Sequence, residues 1–116
     1  MADSPFVLKP EERGTYYLLT ISGPFTAHHV LAVRKAFEAA LAIGHTKMAF
    51  NLSGVDFLDS VGLGLLVNMK RKLDAAAGMF GIINPSQVVI DILDVSSTDQ
   101  YLTVYRDVKN PDTVFD

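Results

Sequence analysis

Two periods of apolar residues alternate along this chain. Thr15-Tyr16-Tyr17-Leu18-Leu19-Thr20-Ile21 is a β-branched and aromatic run that predicts a strand, and Gly23-Pro24 punctuates its end. Phe6-Val7-Leu8-Lys9 is a shorter extended segment, stopped by Pro10, which holds the residue before it extended. Glu11–Gly14 joins the two as a hairpin. From Ala27 to Ile43 the period changes. Val30, Val33, Phe37, Ala40 and Leu41 recur at spacings of three and four, which predicts a helix with one apolar face, N-capped by Thr26 and stopped at Gly44. Lys47–Leu52 is an apolar strand, and an apolar strand after a helix suits a buried, parallel position. A second helix spans Ser60–Ala77, with Leu65, Leu66, Met69, Leu73 and Ala76 on one side and Lys70-Arg71-Lys72 in its last half, where positive charge suits the helix dipole. Gly78 stops it. Met79–Ile83 is a strand, Asn84-Pro85 opens a third helix carrying Val88, Val89, Ile92 and Leu93, and Tyr101–Tyr105 is a last, edge-like strand.

The predicted order β-β-α-β-α-β-α-β defines an α/β domain with a mixed, mostly parallel sheet of about five strands. Right-handed crossovers put consecutive helices on one face of that sheet; the pattern leaves the use of the other face open. The 116 residues fit one domain over 1–116, with its core at about 15–106 and no internal repeat or long linker. The 49% hydrophobic content is that of a globular chain. The absence of cysteine removes disulfides, thiolate metal sites and cysteine nucleophiles, and it fits a reducing cytoplasm. A net charge of −3 argues against nucleic acid, which calls for a basic face. Met1-Ala2-Asp3-Ser4-Pro5 has no basic, apolar leader pattern, and the longest apolar runs, Leu63–Val67 and Ala75–Ile83, are too short to insert in a membrane. The expected location is therefore cytoplasmic.

Chemistry concentrates in Asn51-Leu52-Ser53-Gly54-Val55-Asp56-Phe57-Leu58-Asp59-Ser60-Val61-Gly62-Leu63-Gly64. Here a strand ends, a loop follows and a helix opens, at the carboxyl edge where α/β domains place function. Ser60 stands where an N-cap belongs, beside free backbone N–H groups that favour an anion. Position 63 is Leu rather than Glu or Gln, so no capping box forms. Gly62 and Gly64 weaken a first helical turn by about 1 kcal/mol each, a cost that stability alone does not explain. A plain cap remains the alternative reading of Ser60. A hydrolase triad of Ser60, Asp59 and His28 or His29 lacks the Gly-x-Ser-x-Gly elbow. Gly62-x-Gly64 lacks the third glycine of a dinucleotide loop, and no P-loop is present. His28 and His29 point apart and have no third ligand at a useful spacing, so no metal or other cofactor is expected; His45, after Gly44, is placed to cap a carbonyl.

Leu58-Asp59-Ser60-x-Gly62-Leu63-Gly64, following Asn51-Leu52-Ser53 and the Val55…Phe57 alternation, resembles the signature of the STAS domain, and most nearly that of the anti-sigma-factor antagonists. Ile21-Ser22-Gly23-Pro24-Phe25 and Ile83-Asn84-Pro85-Ser86 fall where that family has a strand ending in Gly and an Asn-Pro turn, so the resemblance covers about 15–106. It implies a single STAS-type domain that is not an enzyme. It implies that Ser60 is phosphorylated by a serine-kinase anti-sigma factor of the histidine-kinase-like ATPase fold and dephosphorylated by a PP2C-type phosphatase. The unphosphorylated form would bind the kinase and release a sigma factor or another client. Asp59, Val61, Gly62, Leu63, Gly64 and Thr26 would form the partner-binding surface, with Asp59 orienting or electrostatically tuning the Ser60 hydroxyl. Val61 replaces a second Ser or Thr common in the family, Thr26 replaces an Asp, and Ser97 replaces a Gly. The resemblance also admits a non-switching STAS scaffold in a stress-signalling or transporter-associated assembly. A small enzyme or nucleotide binder is the remaining alternative.

Overall fold

Alternating apolar residues along three strands, and apolar stripes on three helices, leave one economical arrangement: a sheet with its helices on one side. The computed structural model describes residues 4–115 and has that form. The elements run β1 (Val7–Glu12), β2 (Tyr17–Phe25), α1 (Val30–Ala42), β3 (Lys47–Leu58), α2 (Ser60–Ala75), β4 (Met79–Ile83), α3 (Gln87–Val95) and β5 (Val104–Tyr105). The sheet order is β1-β2-β3-β4-β5; β1 is antiparallel to β2 and every other pair is parallel. Because each helix joins neighbouring parallel strands, a constant crossover hand stacks all three on one face. Leu19 and Ile21 of β2, Met48, Phe50 and Leu52 of β3, and Phe80 and Ile82 of β4 meet Val33 and Phe37 of α1, Leu66, Met69 and Leu73 of α2, and Val89 and Leu93 of α3 in one core.

The other face, left open by the sequence pattern, is closed by the chain itself. Tyr16, Leu18, Ala49 and Ile83 are buried there beneath Tyr105, Val108, Val114 and Phe115. The small residues Ala49 and Gly81 make room for the covering rings; a Cβ on Gly81 would sit 2.8 Å from the Tyr105 ring. Polar bonds hold this strap down. The Asn84 side chain donates to the Val108 carbonyl at 2.9 Å and accepts from its N–H at 2.8 Å. Asp112 accepts from the Tyr16 hydroxyl at 2.7 Å and from Arg13 at 3.3 Å.

Several boundaries differ from the sequence reading, each for a local reason. Pro10 does not stop β1, because an edge strand has one side without ladder bonds and tolerates a missing donor. Gly23-Pro24 does not end β2, which continues to Phe25. Gly23 takes φ +80° and packs so closely on the Pro5 carbonyl that no Cβ would fit, and the register with β3 shifts there. Likewise β3 continues through Ser53-Gly54 to Leu58, so a strand rather than a loop leads to the site. Helix α1 starts at Val30, not Ala27, and Thr26 does not cap it with its side chain: the Thr26 carbonyl accepts from the His29 and Val30 N–H groups in a preceding turn. Its end is as expected. Gly44, at φ +98°, donates to the Leu41 carbonyl while His45 donates to that of Ala40, the paired bonds of a Schellman stop. The His45 ring lies against Tyr17 and within 3.4 Å of Glu12 rather than capping a carbonyl with its side chain. Helix α2 ends at Ala75, two residues before the expected Ala77. Pro85 precedes α3 instead of opening it; Asn84 is left-handed at φ +50° and Ser86 is the N-cap. Strand β5 keeps only Val104–Tyr105, because Thr98–Gln100 winds into a 3₁₀ turn.

Candidate functional site

The end of β3 delivers the chain into α2 at one edge of the sheet, next to the turn between β2 and α1. Asp59 is the residue that joins these pieces. Its backbone is extended and its side chain caps α2: one carboxylate oxygen accepts from the Gly62 N–H at 2.8 Å. The other accepts from the Ala27 N–H at 3.0 Å. The N-cap is thus Asp59, and Ser60 is the first helical residue; the expectation of a Ser60 cap is corrected. The reason is geometric, since the capping oxygen must come from the last extended residue, and β3 runs to Leu58. The Gly62 amide is the largest influence and holds the Asp59 carboxyl below the usual carboxylate range; burial opposes it, and the Ala27 amide adds to the lowering. With both oxygens committed to backbone donors, Asp59 fixes the ground under Ser60 and does not grip the Ser60 hydroxyl.

Ser60 is exposed. Freed from capping, it stands exposed at the first position of α2. Val61, 46% exposed, and Phe57, 57% exposed, give this surface apolar patches. Sequence reasoning did not single out Phe57; its place in a strand alternation concealed that β3 ends on the surface there. Leu63 is half-buried and packs against the core. Thr26 is half-buried and is brought beside the helix start through the Ala27–Asp59 bond.

The two glycines separate in role. Gly62 is buried, and a Cβ there would lie 2.4 Å from the Phe25 carbonyl oxygen and 2.9 Å from Leu58. It lets α2 press against the end of β2, so the close approach seen in the structure is an internal one. Gly64 is exposed and a Cβ there would meet nothing within 4 Å. Of the basic run, Lys70 pairs with Asp74 at 2.8 Å along α2 and Lys72 reaches Glu38 of α1 at 2.5 Å. Among the described residues no group of three or more His, Asp and Glu could hold a metal ion, and no helix is long and apolar enough to cross a membrane.

Comparison with known proteins agrees with this architecture. The family model of the STAS domain matches residues 8–110. The anti-sigma F factor antagonist of Lysinibacillus sphaericus is 30% identical over 86 residues, which is 73% of this chain and 74% of that one. A Thermotoga maritima protein is 29% identical over 69 residues, 60% of this chain and 61% of the relative, so the match spans under two-thirds of that protein's length. Among solved structures, the Bacillus cell fate determinant SpoIIAA in its phosphorylated form superposes with a TM-score of 0.71 at 24% identity, covering 90% of this chain and 93% of the other; that likeness is one of fold. The chain belongs to the STAS-domain family, with anti-sigma-factor antagonists among its relatives.

Proposed function

We propose that this protein is a non-catalytic, phosphorylation-controlled regulator of the anti-sigma-factor antagonist type, with Ser60 as its phosphoacceptor. Its partner is a serine-kinase anti-sigma factor of the histidine-kinase-like ATPase fold, and a PP2C-type phosphatase restores the hydroxyl. The unphosphorylated form binds the kinase and frees a sigma factor or other client; the phosphorylated form does not bind. The observation that carries this reading is the exposed Ser60 at the first position of α2, with the Asp59 carboxylate already occupied by the Gly62 and Ala27 amides. The relatives' names support it in kind, since an anti-sigma F factor antagonist and a phosphorylated SpoIIAA are among them.

The sign of the switch follows from charge. Phosphorylation adds about −1.5 to −2 charges and strong acceptor oxygens. The helix N-terminus favours that anion by roughly 0.3–1 kcal/mol, so the fold has no reason to change. Asp59 and the exposed Asp56 add negative charge to the same surface. A partner fitted to a bare hydroxyl and the apolar Val61 then meets an uncompensated, hydrated charge, and each ~1.4 kcal/mol of penalty is a tenfold loss of affinity. The test is incubation with the partner kinase and ATP, followed by mass spectrometry. Phosphate on Ser60 is expected, with Ser60→Ala unmodified but still bound by the kinase and Ser60→Asp bound weakly. Phosphate at another residue, or equal affinity of the two variants, refutes the assignment.

A further inference from the structure

Helix glycines need a reason, and Gly64 has none inside the molecule. Glycine costs a helix interior about as much as any residue but proline. Gly62 repays that cost in its contact with Phe25, whereas an added Cβ at Gly64 would touch nothing within 4 Å. Gly64 lines an open groove between α1 and α2, of about 540 Å³, together with Arg34, Val61, Leu65, Asn68 and Lys72. The groove's lining reaches Val61, the neighbour of Ser60, and Ser60 and Gly64 are four residues apart on α2 and so lie on one stripe a turn apart.

The groove's chemistry is one-sided. Arg34 and Asn68 are exposed. Among the described residues Arg34 enters none of the ion pairs, and neither residue has a side-chain hydrogen bond. Glu38, the acid at the far end, is already taken by Lys72 at 2.5 Å, and Asp59 is tied to Ala27 and Gly62. In a chain of net charge −3, this leaves an unpaired guanidinium and a free amide above an apolar floor of Val61 and Leu65 with a notch at Gly64. Guanidinium is suited to carboxylate in planar, two-pronged geometry.

We infer that the α1–α2 groove receives an acidic segment of the partner, a carboxylate meeting Arg34 and Asn68 while the segment's backbone passes close over Gly64. This rests on the proposed partner-switching role and gives it a mechanism. A phosphate on Ser60 stands one turn from Gly64, where it repels the incoming carboxylate and competes with it for Arg34.

The test uses the full chain and the anti-sigma factor that binds its unphosphorylated form, with titration calorimetry at two salt concentrations. Arg34→Glu is expected to weaken binding at least tenfold and to flatten its salt dependence. Gly64→Ala is expected to unfold at a higher temperature than the native chain yet bind more weakly, and Gly64→Leu to bind weaker still; a better-folded protein that docks worse excludes misfolding as the cause. Because the chain has no cysteine, Asn68→Cys accepts a single photo-crosslinker, and the partner peptide it captures should be rich in Asp and Glu. Native affinity in both Arg34→Glu and Gly64→Leu overturns the inference, as does a captured peptide that is neutral or basic. If these variants behave as expected while Ser60 is never phosphorylated, the groove stands and the switch falls. If Ser60 is phosphorylated and the groove variants bind normally, the reverse holds.

Discussion

Replacing Asp59 by Ala removes two hydrogen bonds from one carboxylate, and the cost can be worked out from where each ends. The bond to the Gly62 N–H is an N-cap, and losing such a cap costs about 1 kcal/mol, at most about 2. The bond to the Ala27 N–H is at the surface, where water takes the place of the lost acceptor, so it adds a few tenths of a kcal/mol. The total, about 1.5 kcal/mol, corresponds to a melting temperature roughly 6 °C lower for a domain of this size. Ser60→Ala should lie within about 0.5 kcal/mol of the native chain, as an exposed residue that does not cap. The pH dependence carries a sign. The Asp59 carboxyl is held below its usual range by the Gly62 amide, so its stabilising effect is complete above the unfolded carboxylate pKa of about 3.9 and is lost as pH falls through the lower folded value. Urea unfolding of native chain and Asp59→Ala from pH 7 to pH 3 should therefore give a constant gap down to about pH 5 that narrows below about 4. Asp59→Asn, which keeps one acceptor and no charge, should fall between the two. A Ser60→Ala variant that loses as much stability as Asp59→Ala would show that Ser60 is the cap after all.

Other consequences are as direct. Gly62→Ala should cost more than 2 kcal/mol, because its Cβ meets backbone at 2.4 Å and neither strand nor helix can yield cheaply; thermal unfolding indistinguishable from the native chain contradicts the contact. Tyr16, pushed up to about 12 by burial and then by its bond to Asp112, should ionise well above the ordinary tyrosine range in an alkaline absorbance titration; its favourable effect on stability is present below about pH 10 and fades as pH rises towards 12. Asp112→Ala should bring that transition only part of the way down, since burial is the larger cause. Asn84→Ala loses both bonds to Val108 and places Ala at φ +50°, so a loss of about 2–3 kcal/mol and faster hydrogen exchange at the Val108 amide are expected. Unchanged exchange there means that the strap is held by something else.

The order of elements was legible because its carriers are short-range. The stripe of Val33, Phe37 and Ala40, and the runs Met48–Phe50 and Met79–Ile83, announce their period without help from the rest of the chain. What escaped depends on neighbours distant in sequence. Pro10 and Gly23-Pro24 look like stops until one knows that β1 is an edge and that Gly23 packs beneath Pro5. More locally, Thr26 looks like a cap until a turn is seen to precede the helix, with the Thr26 carbonyl accepting from His29 and Val30 so that α1 begins only at Val30. The site motif was equally visible as a string and equally mute about its division of labour. Two glycines two residues apart read alike, but Phe25 stands behind one and only solvent beside the other. The strap over the second sheet face gave no signal through periodicity, because Val108, Val114 and Phe115 follow neither period.

The contact of Gly62 with the Phe25 carbonyl has a last consequence. A platform with no slack cannot swallow what is placed on it. A group added at the first turn of α2 has no room to retreat into the interior, so it must project outward, and whatever meets this edge reads the addition at full height. On the switch proposed above, the molecule would act like a hard printing plate, in which information lies in what is raised on the surface and not in any bending of the metal beneath.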